Sequence, residues 1–415
     1  MSDSNTPWAD PMPDDQFDRM REILAAPSPV GLEGAMTYGV LKPYFDSYKR
    51  DDWKVREFTG NAGVVLDTDP DAQEKLTVMV IGHADKIRMQ VRQVGDDGKI
   101  WIDSDSFLPA TLLGHEVRLF SENPDSPGNY RALEGGTVEA IGAIHFADKP
   151  LRTGEKGISA EELYVELGIH GENKKEQIEQ LGVRPGDTIL LDRKIKRGFA
   201  PNTFQGAYLD NGLGCFATAE IGRKLADEGG LDNVRALMTI ATHEEIGRFG
   251  SRVAAQELDP DIIIGVDVNH DYVAAPNLSD KRPPPLEMGK GFTMSVGSIV
   301  SEPLNRVVEE TAKEFNIPMQ RDVVGRDTGT DGMAGALAAI DAAATSIGFP
   351  IRNMHTISEL GNTHDVLAAV HAISRSIESL DNRGLGKDDW PPSQPRLDEA
   401  SPLSHQGYGD ASDEE

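Results

Sequence analysis

The chain has 415 residues, too many for one hydrophobic core of ordinary size, so one large domain or two joined ones are expected. Its 41 basic and 69 acidic residues leave a formal charge of −28, which repels phosphate backbones and anionic lipid and argues against nucleic-acid or membrane partners. A single cysteine, Cys215, excludes an intrachain disulfide and a thiolate zinc cluster. The acidic N-terminus has no apolar stretch of the signal-peptide kind, and no run of 18 apolar residues occurs, so a cytoplasmic location is expected.

Residues 1–15 are rich in Asp and Pro and read as a loose segment. A helical stretch comes next over Phe17 to Leu24, then the turn-rich Pro27-Ser28-Pro29-Val30-Gly31. Lys75 to Ile81 (KLTVMVI) is a short apolar run with β-branched residues and reads as a buried strand. From Met89 to about Lys196 the texture changes to short alternating segments cut by Gly, Asp and Pro, the pattern of a small β-rich unit. Beyond Ala207 an α/β alternation returns. A helix is predicted over Cys215 to Glu228, strands over Val234 to Ala241 and Pro260 to Val268, a helix over Pro303 to Phe315, and a strand over Ala344 to Ile351. The division is therefore an α/β domain over 16–88 and 199–381, interrupted by a β-rich insert over 89–198. Residues 382–415, with three basic and eight acidic residues and four prolines, read as a solvated acidic tail.

The residues just past each predicted strand carry the chemistry, because loops beyond the carboxyl edge of an α/β sheet converge on one crevice. After KLTVMVI comes Gly82-His83-Ala84-Asp85, after the 234–241 strand comes His243-Glu244-Glu245, and Asp267 ends the next strand. His355 lies just beyond the last strand, and Asp210-Asn211-Gly212 precedes the Cys215 helix. Taken singly each is ordinary: a surface His–Asp pair, a solvated glutamate pair, a capping Asp, a core histidine. Their joint placement at strand ends is not. His with Asp/Glu and no Cys is a donor set for zinc, cobalt or manganese in a catalytic site. The other histidines read as structural or exposed, with His243 and His270 near enough in sequence to line the site. Gly325 to Gly332 (GRDTGTDG) is glycine-rich but lacks the GK[ST] of a phosphate loop, so a pocket wall is the better reading.

The order GHAD, YLDNGLG, HEEIG, VDV, GTDG and RNMHTISE resembles the co-catalytic metallo-aminopeptidases of metallopeptidase family 42, which includes tetrahedral, deblocking and glutamyl aminopeptidases. The resemblance runs from the Pro27 segment to about Asp381. It implies a phosphorylase/hydrolase-like α/β fold, a mixed sheet flanked by helices, with an inserted small PDZ-like β-barrel that serves dimerisation. It implies two divalent metal ions per subunit, zinc first, with Asp210 bridging them. His83 and Asp267 would complete one site, Glu245 and His355 the other. Glu244 would be the general base and Asp85 would hold the His83 imidazole. The implied activity is removal of N-terminal residues from peptides by a homo-oligomer, either a dimer or a tetrahedral dodecamer.

This chain departs from the family pattern at Asn211, Gly212, Arg88, His243 and Arg248. Those departures touch substrate choice rather than the ligands, and Arg88, Arg248 and Arg326 raise the prospect of an acidic substrate. The rivals are an amidohydrolase acting on a small acylated or amidated metabolite with the same metals, a glycosidase, and a scaffold without activity. Neighbouring carboxylates joined by histidines do not fit a glycosidase pair, and no ligand or base is lost as a scaffold would require.

Overall fold

A computed structural model describes residues 6–393 except 73, 105–106, 141, 143 and 278–283. The chain opens with a helix over Asp14–Ala25, whose Phe17, Met20, Ile23 and Leu24 are buried at helical spacing. Next come strands β1 (Lys54–Phe58), β2 (Gly63–Asp67) and β3 (Leu76–His83). After them stand β4 (Met89–Val94), β5 (Ile100–Ser104), β6 (Glu116–Glu122), β7 (Tyr130–Glu139), β8 (Tyr164–Glu166) and β9 (Thr188–Leu191). The short β10 (Lys196–Arg197) and β11 (Thr203–Gly206) lead to a helix over Leu209–Asp227. The remaining strands are β12 (Val234–Ala241), β13 (Ile262–His270), β14 (Phe292–Val296), β15 (Met319–Val323), β16 (Ala343–Ile351) and β17 (Glu359–Asn362).

Two architectures result. An eight-stranded mixed sheet runs in the order β1-β2-β12-β3-β13-β16-β14-β15. Its centre, β12-β3-β13-β16, is parallel, which brings the carboxyl ends of those strands to one edge. All eight residues of β3 and all nine of β16 are buried, as strands covered on both faces must be. Strands β4 to β9 close into an antiparallel barrel, order β4-β5-β8-β7-β6-β9, with its own apolar interior including Ile102, Leu119, Val138 and Ile189.

The 209–227 helix sits against β3 and β13, and glycine sets how close it comes. A Cβ on Gly82 would lie 2.9 Å from the Gly214 carbonyl carbon, and one on Gly214 would lie 2.5 Å from the Val266 oxygen. That approach carries the start of the helix, with Asp210, up to the ends of both strands.

Several elements were not anticipated: β1, β2, β14 and β15, and helices over Lys42–Tyr48, Phe249–Leu258 and Thr363–Arg383. Both ends of the chain also need correction. The N-terminal segment, expected to be loose, packs on the core over residues 8–12, where Trp8 and Met12 are buried and the Trp8 ring meets His371 edge-on at 5.6 Å. At the other end the 363–383 helix gives way to a bridge between Lys75 and Gly386 and to Trp390 packed against the core. The rest of the expected tail, residues 394–415, lies outside the described residues. Among the described residues no helix is long and apolar enough to cross a membrane.

Candidate metal centre

Of the side chains singled out at the strand ends, His83, Asp210, Glu244, Glu245, Asp267 and His355 reach one cleft, while Asp85 and His243 lie behind it. His83 is the last residue of β3, and its Nδ1 lies 3.1 Å from the Asp85 carbonyl oxygen. A carbonyl only accepts, so Nδ1 donates to it and Nε2 is the nitrogen that faces the cleft. Around that Nε2 stand Asp210 Oδ1 at 3.4 Å, Asp267 Oδ2 at 3.6 Å and Glu244 Oε2 at 3.8 Å. The second Asp210 oxygen, Oδ2, is 3.2 Å from His355 Nε2. Asp210 thus shows one oxygen to each imidazole. Donor atoms of His83, Asp210 and Glu245 lie within 4.8 Å of one another.

The backbone that holds these groups is unusual in itself. Tyr208, His243 and His355 all sit at positive φ (66°, 59° and 61°), a conformation that side chains other than glycine rarely take and that gathers at functional sites. Asp85 is fully buried and braces the turn after β12. Its Oδ1 accepts from the Glu244 N–H and its Oδ2 from the Glu245 N–H, both at 3.0 Å. Tyr208 joins the centre to the barrel, its hydroxyl oxygen accepting the Leu191 N–H at 2.7 Å.

Electrostatics favour a cation in the cleft. Burial, reinforced by neighbouring carboxylates, pushes Glu244 up to about 8 and Glu245 to about 10, and raises Asp267. Asp210 behaves oppositely: burial would raise it, but hydrogen bonds from His355 and His83 hold it well below the usual carboxylate range. Glu245 Oε1 is buried and has no hydrogen-bond partner among the described residues. Crowded, buried carboxylates with an orphaned oxygen are costly unless a cation balances them, and two imidazoles with three carboxylates is a donor set that divalent metals accept. The residues fit such an ion.

Two contributors escaped the sequence reading. Glu359, only 2% exposed, accepts the Leu209 N–H with one oxygen at 2.6 Å and the His355 N–H with the other at 2.7 Å, so it positions the residues on both sides of the centre. Burial, then the Asp210 charge, lifts its carboxyl to about 8. Lys86, next to Asp85 in the chain, is buried over the Tyr208 ring, its Nζ donating to the Leu24 and Ala26 carbonyls at 2.8 and 2.6 Å, and burial lowers it to about 7. The cleft has a volume of about 350 Å³, and its wall includes Asn269, His270, Tyr272, Thr328 and Thr330 as well as the candidate ligands. GRDTGTDG is thus a pocket wall over Asp327 to Thr330. Neither Arg88 nor Arg326 is among the described residues lining it, and Arg248 is engaged with Glu244 and Asp327. His243, by contrast, lies behind the turn with Nδ1 3.6 Å from the buried Glu33.

The sequence profile of the M42 glutamyl aminopeptidase family matches residues 63–371, most of the chain. The chain belongs to that family. A lysyl aminopeptidase of Pyrococcus furiosus is 28% identical over 371 residues, covering 88% of this chain and 97% of the relative. Two solved structures share the fold. The TET aminopeptidase from the marine sediment archaeon Thaumarchaeota archaeon SCGC AB-539-E09 has a TM-score of 0.76 at 20% identity, over 89% of this chain and 98% of that one. The TET1 peptidase of Pyrococcus horikoshii, described as able to assemble into a tetrahedron or a large octahedral shell, has a TM-score of 0.69 at 19% identity, over 87% and 98%. The protein is an aminopeptidase, a peptide-bond hydrolase that depends on divalent metal. Family membership favours this activity over the small-metabolite amidohydrolase.

Proposed function

We propose that this M42 aminopeptidase holds two divalent cations side by side, with Asp210 shared, His83 and Asp267 completing one ligand set, and Glu245 and His355 the other. The observation that carries the reading is the division of the Asp210 carboxylate, one oxygen 3.4 Å from His83 Nε2 and the other 3.2 Å from His355 Nε2. Zinc suits this set of nitrogen and oxygen donors best, and cobalt or manganese are compatible. Bound there, divalent cations would lower the pKa of a coordinated water and supply positive charge to the oxygen of the attacked carbonyl.

Glu244 is the general base. Its Oε2 faces the centre, 3.8 Å from His83 Nε2, within reach of a water held there. It takes a proton from the attacking water and returns it to the amine nitrogen as the C–N bond breaks. Asp85 fixes both partners, orienting the His83 ring and pinning the backbone of Glu244 and Glu245. The substrate is a peptide whose N-terminal residue enters the cleft beside Asn269, His270 and Tyr272.

The catalytic unit comprises residues 16–88 and 199–381, and the 89–198 insert serves dimerisation. Leu108, Phe146 and Phe199 are among the exposed large apolar side chains and lie in or beside that insert, as an interface requires. A homo-oligomer, a dimer or a tetrahedral dodecamer like the shells described for the Pyrococcus horikoshii relative, is the expected assembly. The enzyme is assigned to the cytoplasm, with neither nucleic acid nor membrane as partner. Hydrolysis of aminoacyl-anilides and short peptides tests the activity. N-terminal cleavage should vanish with chelator and fall by about 10²–10⁴-fold in Glu244→Gln. Undiminished turnover by that variant would contradict the role given to Glu244.

A further inference from the structure

Glu244 carries two oxygens in different surroundings. Oε2 faces the centre, 3.8 Å from His83 Nε2. Oε1 turns the other way and accepts from Arg248 Nε at 3.2 Å. The Arg248 side chain is itself clamped, with Nη1 2.9 Å from both oxygens of Asp327. Asp327, Thr328, Gly329 and Thr330 form one wall of the cleft. An uninterrupted chain of charge-assisted hydrogen bonds therefore runs from the pocket wall through one guanidinium to the carboxylate that handles the proton.

These bonds have a chemical consequence. A carboxylate on a glutamate side chain is free to rotate about its last torsion, and a rotated carboxylate no longer aims at the reacting water. A guanidinium is planar and always charged, and it presents several donors in a fixed fork, so a single Arg can hold one carboxylate while being held by another. Arg248 is only 19% exposed and Glu244 11%, so water competes weakly for these bonds. The arginine is also fixed at its root, at φ 59° immediately ahead of the Phe249–Leu258 helix.

We propose that Arg248 is a positioning residue for the aminopeptidase reaction: it holds Glu244 by one oxygen, leaves the other for the water, and through Asp327 ties that orientation to the 327–330 wall of the substrate cleft. Substrate seated against that wall thereby steadies the base, and binding and turnover are coupled through one side chain. The proposal rests on the assignment of Glu244 as general base.

The test uses the full-length, metal-loaded enzyme and the aminoacyl-anilide it cleaves fastest, with kcat and KM measured separately and bound metal determined for each variant. Arg248→Met should lower kcat by about 10–100-fold, with KM changed less than about threefold and metal content unchanged. Arg248→Lys should recover part of the loss, since it restores the charge without the fork. Asp327→Asn should lower kcat by about tenfold in the wild-type background and have no further effect in Arg248→Met, because the two act in one chain. Wild-type kcat in Arg248→Met, or losses that multiply in the double variant, would overturn the positioning role. Full activity in Glu244→Gln would instead remove the general-base assignment, and the proposal with it.

Discussion

Glu359 binds backbone on both sides of the centre, taking the N–H of Leu209, next to Asp210, and the N–H of His355. Only a carboxylate can accept both with equal oxygens. In Glu359→Gln one of these buried N–H groups would face an amide NH₂. Divalent-ion affinity should then fall about 10–100-fold, the usual cost of losing a group that orients ligands. Competition with a chromophoric chelator measures this, and an unchanged affinity would show that the two segments hold themselves. The role was not legible in sequence, because Glu359 acts on backbone amides that only the fold brings to it. The residues proposed as ligands drew attention in the sequence for the opposite reason. His83, Glu245 and His355 stand at or just beyond the ends of parallel strands, with Asp267 three residues before the end of β13, and strand ends can be recognised from apolar runs. Arg248 sits between the two cases. It stood out as an oddity, but its partners, Glu244 and Asp327, are 4 and 79 residues away, and only the nearer could be seen.

Elements with a clear apolar pattern were legible almost to the residue, as with the continuous runs of β12 and β16 and the one-sided apolar stripe of the 302–314 helix. The 363–383 helix escaped, although its buried Val366, Val370, Ile373, Ile377 and Leu380 recur at helical spacing. It carries a pH-sensitive contact. His371, beside Trp8, is driven down from 6.5 to about 3 by burial, aided by Lys224, Arg375 and Arg223. Below pH 6.5 the unfolded chain therefore takes up a proton that the folded one refuses, so stability falls as pH drops from about 6.5 towards 3. Unfolding by urea at pH 7.5 and pH 5 should show His371→Gln relieved of about 2 kcal/mol of the acid loss seen in wild type. Parallel losses in the two proteins would contradict the assignment.

On the scale of the whole molecule, the inserted barrel was legible as a change from long apolar runs to short alternating ones. The docking of Trp8 was not, because His371 and the Trp8 carbonyl's partner His364 lie more than 350 residues further along the chain. Composition suggested a loose N-terminus, yet two buried side chains, Trp8 and Met12, are enough to fasten it. The charge of −28 has its own consequence. Like charges spread over the surface repel one another in the compact state, and salt screens them. Melting temperature should rise by about 5 °C or more between about 0.05 and about 1 M NaCl, as the Debye length falls to about 3 Å. A melting curve indifferent to salt would mean that local ion pairs already balance the field.

The proposed dimetal chemistry turns on a shared Asp210 carboxylate, and it is open to a decisive check. Metal content per chain and zinc affinity would be measured on the wild type and on Asp210→Asn. Two divalent ions per wild-type chain are expected, with weakened binding of both in the variant, because one side chain serves both positions. A single bound ion in the fully active enzyme, or two ions held with undiminished affinity by Asp210→Asn, would contradict the shared role.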